Sequence, residues 1–318
     1  MSGAAGSGWT QGPPTDTVIE LLRSLELTID RRLDGVLHGD HRGLTPGHGS
    51  EPGESRPYQP GDDVRRIDWS VTARTNETHV REQIADHDLM AWIVADASAA
   101  MRFGTTDDEK IQTGLAAAAC VGFLTARHRN RLGAALVAGP QLRLVPPRSG
   151  KDQVRAILSS LASAPASEGA GPADLAGALD RVAALAQRQG FVAVISDFAG
   201  DGWVDALGRL GVRHDLLAIT VHDPREYDIP PIGLVDLTDP STGARREVRV
   251  TAAVQRRFAR AAEEERERRL SAIARAGAEH IELTTESDWL AAIVRHVERR
   301  RVQAIRGEVF RPPVRGRR

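Results

Sequence analysis

Leu89-Met90-Ala91-Trp92-Ile93-Val94-Ala95-Asp96 is an unbroken apolar run closed by a carboxylate. A second run, Phe191-Val192-Ala193-Val194-Ile195-Ser196, closes in the same way on Asp197. Both are short, and neither alternates polar with apolar residues. That pattern fits strands buried on both faces, as in a parallel sheet covered by helices. Helical periodicity lies between and beyond them. Ile111, Leu115, Ala119 and Phe123 recur at fourfold spacing, and further helices are expected over about 151–162, 173–188 and 203–210.

Outward from these runs the alternation continues. Leu132–Ala138 and Gln141–Val145 flank a Gly139-Pro140 turn and read as an antiparallel hairpin. A strand is expected near 213–221, a pair at Gly233–Leu237 and Arg246–Val250, and a last strand at His280–Leu283. Thr251–Ala276 reads as a long charged helix whose Glu263–Arg269 run is a solvated face. The final helix carries Trp289, Leu290, Ile293, Val294 and Val297 on one side. The fold class is α/β: a doubly wound, mainly parallel sheet of six strands with helices on both faces.

The beginning of the chain reads differently. Residues 1–14 are a Gly/Ser/Ala-rich flexible tail without the basic start and apolar core of a signal peptide. Val18, Leu22, Leu25, Ile29 and Leu33 mark an amphipathic helix. Seven glycines and four prolines in residues 34–62 then predict an irregular segment, followed by a polar stretch to Ala85. The expected organisation is therefore 1–14 tail, 15–85 N-terminal helix and irregular segment packed on the main domain, 86–305 main domain, and 306–318 basic tail.

Composition narrows the function. Hydrophobic residues at 41% and charged residues at 27% are ordinary for a globular protein, and a net charge of -1 gives no overall field toward nucleic acid or anionic membrane. No apolar run approaches the roughly 20 residues that span a bilayer, so no membrane insertion is expected and the cytoplasm is the expected compartment. Lys110 and Lys151 are the two lysines, and arginine supplies nearly all the positive charge. Cys120 is the single cysteine; an intramolecular disulfide is excluded, and its apolar setting predicts a buried inert thiol. His38, His41 and His48 stand in the glycine-rich segment without a ligand framework for zinc. No Gly-x-Ser-x-Gly elbow and no phosphate loop appears.

In an open α/β sheet, ligands bind outside the carboxyl ends of the strands, near the point where the winding reverses. Asp96 and Asp197 both end strands on that edge, with Ser98 two residues further along the first loop. Such oxygen donors suit Mg²⁺ or Mn²⁺. Aspartate is also a common helix N-cap, so the same residues can be structural.

Asp96-Ala97-Ser98-Ala99-Ala100-Met101 resembles the Asp-x-Ser-x-Ser loop of the von Willebrand A metal-ion-dependent adhesion site. More specific is Arg56-Pro57-Tyr58-Gln59-Pro60-Gly61-Asp62-Asp63-Val64-Arg65-Arg66-Ile67-Asp68-Trp69, continuing to Thr72-Ala73-Arg74. This resembles the signature of the domain-of-unknown-function-58 family, in its short soluble actinobacterial form, over roughly residues 30–300. The resemblance implies a von Willebrand A-like fold and association with MoxR-type AAA+ ATPases. It also implies a degenerate metal site: the second loop serine falls on Ala100 and the metal-site threonine on Ala173, leaving Asp96, Ser98 and Asp197. No cofactor is certain, and any Mg²⁺ or Mn²⁺ is expected to bind weakly.

Two roles fit the signature residues Arg56, Tyr58, Pro60, Gly61, Asp62, Asp63, Arg65, Ile67, Asp68, Trp69 and Arg74. They can form a structural clasp of arginines and aspartates around a turn, or a surface on which a partner docks. The function implied by the resemblance is a non-enzymatic protein-binding module, an adaptor or partner of a MoxR-type AAA+ ATPase in complex assembly. The alternatives are a metal-dependent hydrolase at Asp96 and Asp197, or nucleic-acid binding through the tail from Arg295, with nine arginines against Glu298 and Glu308. That tail has no interleaved aromatic platform, and nucleic acid is disfavoured.

Overall fold

The structure, a computed structural model, describes residues 16–37, 51–59, 64, 67–84, 90–106, 108–126, 130–165, 169, 171–200 and 202–305. The N-terminal and basic tails, the three histidines of the glycine-rich segment, and signature residues Pro60, Gly61, Asp62, Asp63 and Arg65 lie outside the described residues. The chain falls into two compact units, residues 45–88 and the remainder.

In chain order the elements are α1 (Asp16–Leu37), β1 (Glu51–Pro57), α2 (Trp69–Thr75), β2 (His79–Ile84), β3 (Met90–Asp96), α3 (Lys110–Ala126), β4 (Arg131–Ala138), β5 (Gln141–Arg148), α4 (Lys151–Ala162) and α5 (Leu175–Leu185). β6 (Phe191–Ser196), α6 (Trp203–Gly211), β7 (Asp215–His222), β8 (Gly233–Thr238), β9 (Arg245–Val250), α7 (Ala252–Arg275), β10 (Glu279–Thr284) and α8 (Trp289–Ile305) follow.

The larger unit is built on a six-stranded sheet of order β10-β7-β6-β3-β4-β5. All neighbouring pairs run parallel except β4 and β5, which form the antiparallel hairpin around Gly139. Counted from β3, this is the doubly wound order 3-2-1-4-5-6, and its winding reverses between β3 and β6. Successive residues of each strand serve opposite cores. Ala91, Ile93 and Ala95 face one layer, with Leu22 and Ile29 of α1, α3, Ile157 of α4 and Ile293 of α8. Trp92 and Val94 face the other, with Leu179 of α5, Leu207 of α6 and Ile273 of α7. Burial on both sides is why the strands read as continuous apolar runs.

α3 is buried on every side, which explains its Ala-rich sequence. A Cβ on Gly122 would stand 2.7 Å from Val154 Cγ1, so glycine there lets α3 and α4 approach closely. Cys120 is fully buried in this helix. α1 belongs with the sheet unit rather than with the segment after it; its Glu26 carboxylate receives Lys151 at 3.0 Å and Arg155 at 2.9 Å from α4. The charged run of α7 is mostly solvated, but Arg266 turns inward and forks onto both oxygens of Glu282 in β10, at 2.6 Å each. Among the described residues no helix is long and apolar enough to cross a membrane.

Within 34–62, the segment expected to be irregular from its breakers, Glu51–Pro57 instead forms a strand. β1 and β2 form an antiparallel ribbon with an irregular register between Pro52 and Ser55, and α2 lies between them in sequence. Pro52 and Pro57 fit because a two-stranded ribbon has a free edge on each strand, where a missing N–H costs little.

Candidate functional site

The reversal point of the sheet brings Asp96 and Asp197 to one edge. Asp96 ends β3; Ala95 pairs with Ile195 on β6, so Ser196, the last residue of β6, comes beside Asp96 and Asp197 follows it out of the sheet. The Oδ1 of Asp96 accepts the Ser98 amide at 2.8 Å, and its Oδ2 accepts the Ser196 hydroxyl at 2.7 Å. Ser196 Oγ in turn accepts the Phe198 amide at 2.9 Å. Phe198 holds φ at 53°, a left-handed conformation that is uncommon for a large side chain. Its environment fixes it there. The ring is buried against Trp203 with centroids 4.9 Å apart, and Trp203 Nε1 donates to the carbonyls of Phe198 at 3.2 Å and Gly200 at 2.7 Å.

The third member of the site was not among the sequence candidates. Lys110, the first residue of α3, is 1% exposed and points its ammonium between two carboxylates. Nζ donates to Asp197 Oδ2 at 2.9 Å and to Glu226 Oε1 at 2.6 Å. The remaining Asp197 oxygen accepts the Ala199 amide at 3.0 Å. Glu226 sits in the short 3₁₀ turn after β7 and closes a capping box there, its Oε2 accepting the Asp223 amide at 2.9 Å. Asp223 is fully buried; it takes the Thr105 amide and hydroxyl at 2.8 and 2.6 Å and the Thr285 hydroxyl at 2.9 Å.

The charges follow from these contacts. Burial, and then the neighbouring Asp197 charge, push the Asp96 carboxyl up to about 6, against hydrogen bonds from Ser98 and Ser196. Burial would raise Asp197 too. The charge and hydrogen bond of Lys110, with the Ala199 amide, outweigh it and hold Asp197 below the ordinary carboxylate range. Burial would likewise depress Lys110, but Asp197 and Glu226 more than offset this, and the ammonium is held above the usual lysine value.

These residues do not fit a divalent metal ion. Each of the four oxygens of Asp96 and Asp197 already accepts a hydrogen bond from the protein. Ala100 and Ala173 offer methyls where the implied ligands would be hydroxyls, and Ala173 packs against the core beside α5. A doubly charged ion on Asp197, some 4 Å from the Lys110 ammonium, would be repelled by about 8 kcal/mol at an effective dielectric near 20. Among the described residues no group of three or more His, Cys, Asp or Glu side chains is arranged to hold a metal.

Within residues 45–88 the signature residues separate by role. Asp68 is buried and structural: its Oδ1 caps α2 by accepting the Ser70 and Val71 amides at 3.1 and 3.2 Å, and its Oδ2 accepts the Ser55 hydroxyl of β1 at 2.8 Å. Ile67 bridges Val80 of β2, and the Tyr58 amide donates to the Thr78 carbonyl at 2.7 Å. Arg56 lies within β1, opposite Val80. Arg74 is exposed in the last turn of α2. Trp69 opens that helix and is 71% exposed.

Of the sequence candidates, then, Asp96, Ser98 and Asp197 are brought together, while Tyr58, Ile67, Asp68, Trp69 and Arg74 gather in the smaller unit. Lys110, Ser196, Glu226 and Asp223 were missed. The one trace of Lys110 is its rarity, two lysines among 42 basic residues.

An uncharacterized protein of Mycobacterium tuberculosis is 47% identical over 287 residues, 90% of either chain. An uncharacterized protein of Mycobacterium avium is 39% identical over 164 residues, 51% of this chain and 97% of that one. Among solved structures, an aerotolerance-related membrane protein of Bacteroides fragilis aligns over 66% of this chain and 97% of its own, with a TM-score of 0.41 and 14% identity. BatB of Bacteroides thetaiotaomicron aligns over 66% of this chain and 98% of its own, with a TM-score of 0.40 and 15% identity. The family model for "Protein of unknown function DUF58" matches residues 54–268, a span that runs from the start of the signature past the whole carboxylate–lysine edge. With that match over more than half of its length, on a doubly wound, mainly parallel sheet, the chain belongs to the DUF58 family.

Proposed function

We propose that this protein is a non-enzymatic protein-binding module, a cytoplasmic adaptor or partner of a MoxR-type AAA+ ATPase. The observation that carries the reading is the placement of Trp69. An indole 71% exposed adds little to the core and costs hydration, yet it is mounted rigidly. Asp68, beside it, holds the first turn of α2 and ties it to β1. A large aromatic ring on a fixed mount is the kind of group that dominates protein interfaces. Val64, 61% exposed in the same unit, adds apolar surface.

The sheet edge supports a non-catalytic reading from the other side. Asp96 and Asp197 are committed to donors within the protein, and Lys110 is clamped between carboxylates, so neither an open base nor a free nucleophile is presented. The choice of ATPase as partner rests on the family resemblance. Wild-type and Trp69→Ala proteins, immobilised in parallel and exposed to native lysate, test it. Retention of a MoxR-type ATPase by the wild type and its loss from the variant is the expected result. Equal retention by both would remove Trp69 from the interface, and recovery of no such ATPase by either would remove the partner.

A further inference from the structure

We infer that Lys110 is a resident cation, so that the carboxyl edge of the sheet is assembled by an internal ammonium and functions without a divalent metal. A divalent ion at such an edge does two things: it neutralises clustered carboxylates, and it ties together loops from different strands. Lys110 does both. Its Nζ joins the start of α3 to the loop after β6, through Asp197, and to the turn after β7, through Glu226. The burial of its whole side chain leaves the ammonium no alternative partner in solvent.

The chemistry of the residue matters. An ammonium is a compact point charge with three donors, whereas a guanidinium is a wide planar fork. In a chain that uses arginine for nearly all its positive charge, the one buried Lys or Arg among the described residues is a lysine, the small, near-spherical cation. The rest of the edge is closed by similar means. The buried Asp223 gathers the loop before α3 through Thr105 and the loop after β10 through Thr285, with hydroxyl and amide donors alone. Four connections at the carboxyl edge are thereby joined by protein groups.

The test titrates the full-length protein with Mn²⁺, following free Mn²⁺ by electron paramagnetic resonance, and measures melting temperature with Mn²⁺, Mg²⁺ or chelator. Wild-type protein is expected to bind no tighter than roughly millimolar and to melt at one temperature under all three conditions. Lys110→Met keeps the stem of the side chain and removes the charge, leaving Asp197 and Glu226 open; Mn²⁺ affinity should rise roughly ten-fold or more, because a nearby positive charge is gone. Mn²⁺ should also raise the melting temperature of this variant alone. Should Lys110→Met fail to fold unaided, it is refolded in Mn²⁺ and in Na⁺, and recovery in Mn²⁺ alone is expected. Micromolar binding by the wild type overturns the inference. So does a variant whose Mn²⁺ affinity stays at the wild-type level, or one that neither ion restores.

Discussion

Replacing Asp96 with asparagine should make the protein more stable at neutral pH, although it removes a charge at the heart of the site. The carboxyl titrates near 3.8 in an unfolded chain and at about 6 in the fold, because burial and the Asp197 charge disfavour its ionised form. Between those values the unfolded chain has lost the proton and the folded protein keeps it. Stability therefore falls as pH rises through that window, and above pH 6 the penalty is complete. A gap of roughly two pKa units corresponds to about 3 kcal/mol. Asparagine escapes this penalty. Its carbonyl still accepts the Ser98 amide, and its amide group faces Ser196 Oγ, which must turn its own hydrogen elsewhere. Losing that hydroxyl donation offsets about 1–2 kcal/mol. The net expectation is a gain of about 1–2 kcal/mol near pH 7.5 that shrinks as pH falls and becomes a loss of about 1–2 kcal/mol near pH 3, where the wild-type carboxyl is largely neutral in both states. Urea denaturation of both proteins across that range measures it. An Asp96→Asn protein less stable than wild type at neutral pH would refute the reasoning, because it would mean that a cation holds the ionised carboxylate.

Asp68→Ala removes the cap of α2 and the Ser55 tie at once, and should cost about 1–2 kcal/mol, read as faster amide exchange in Trp69–Thr75 and in β1. Gly190→Ala should be strongly destabilising, by about 2–3 kcal/mol, since its Cβ would stand 2.2 Å from the Met90 carbonyl oxygen at the entry to β6; chemical denaturation measures this. Arg266→Ala should cost about 1.5–3 kcal/mol, because both oxygens of the half-buried Glu282 lose their donor; the loss should shrink as pH falls below the usual glutamate range and Glu282 is neutralised.

The sheet was legible because burial on both faces leaves a signature that needs no partner information. Phe191–Ser196 is recovered to the residue, and Met90–Asp96 begins one residue later than the apolar run. The charged helix read as Thr251–Ala276 starts at Ala252 because the Thr251 hydroxyl caps it, accepting the Val254 amide. Where propensity and tertiary pairing disagree, sequence reading failed. Glu51-Pro52-Gly53-Glu54-Ser55-Arg56-Pro57 has every mark of a loop, and it becomes a strand only through its pairing with His79–Ile84. The two aspartates could be placed on one edge from the ends of their strands, and Ser196 lay in plain view between them. Lys110 could not be placed. A lysine after Asp107-Asp108-Glu109 reads as an exposed helix start, and its partners Asp197 and Glu226 are 87 and 116 residues away. Only the packing of α3 against the sheet drives that side chain inward. Likewise, a tryptophan within a signature reads equally as core or as surface until the neighbouring aspartate is seen to hold the helix while the ring stands outside.

The most direct measurement for the account is the affinity of the partner ATPase for wild-type and Trp69→Ala proteins, taken by calorimetry with melting temperature recorded on the same samples. The variant should melt with the wild type, because the indole is 71% exposed, and should lose about 2 kcal/mol or more of binding, as an aromatic anchor would. Unchanged affinity in a fully folded variant, or an affinity loss that merely tracks a lowered melting temperature, would contradict a docking role for this residue.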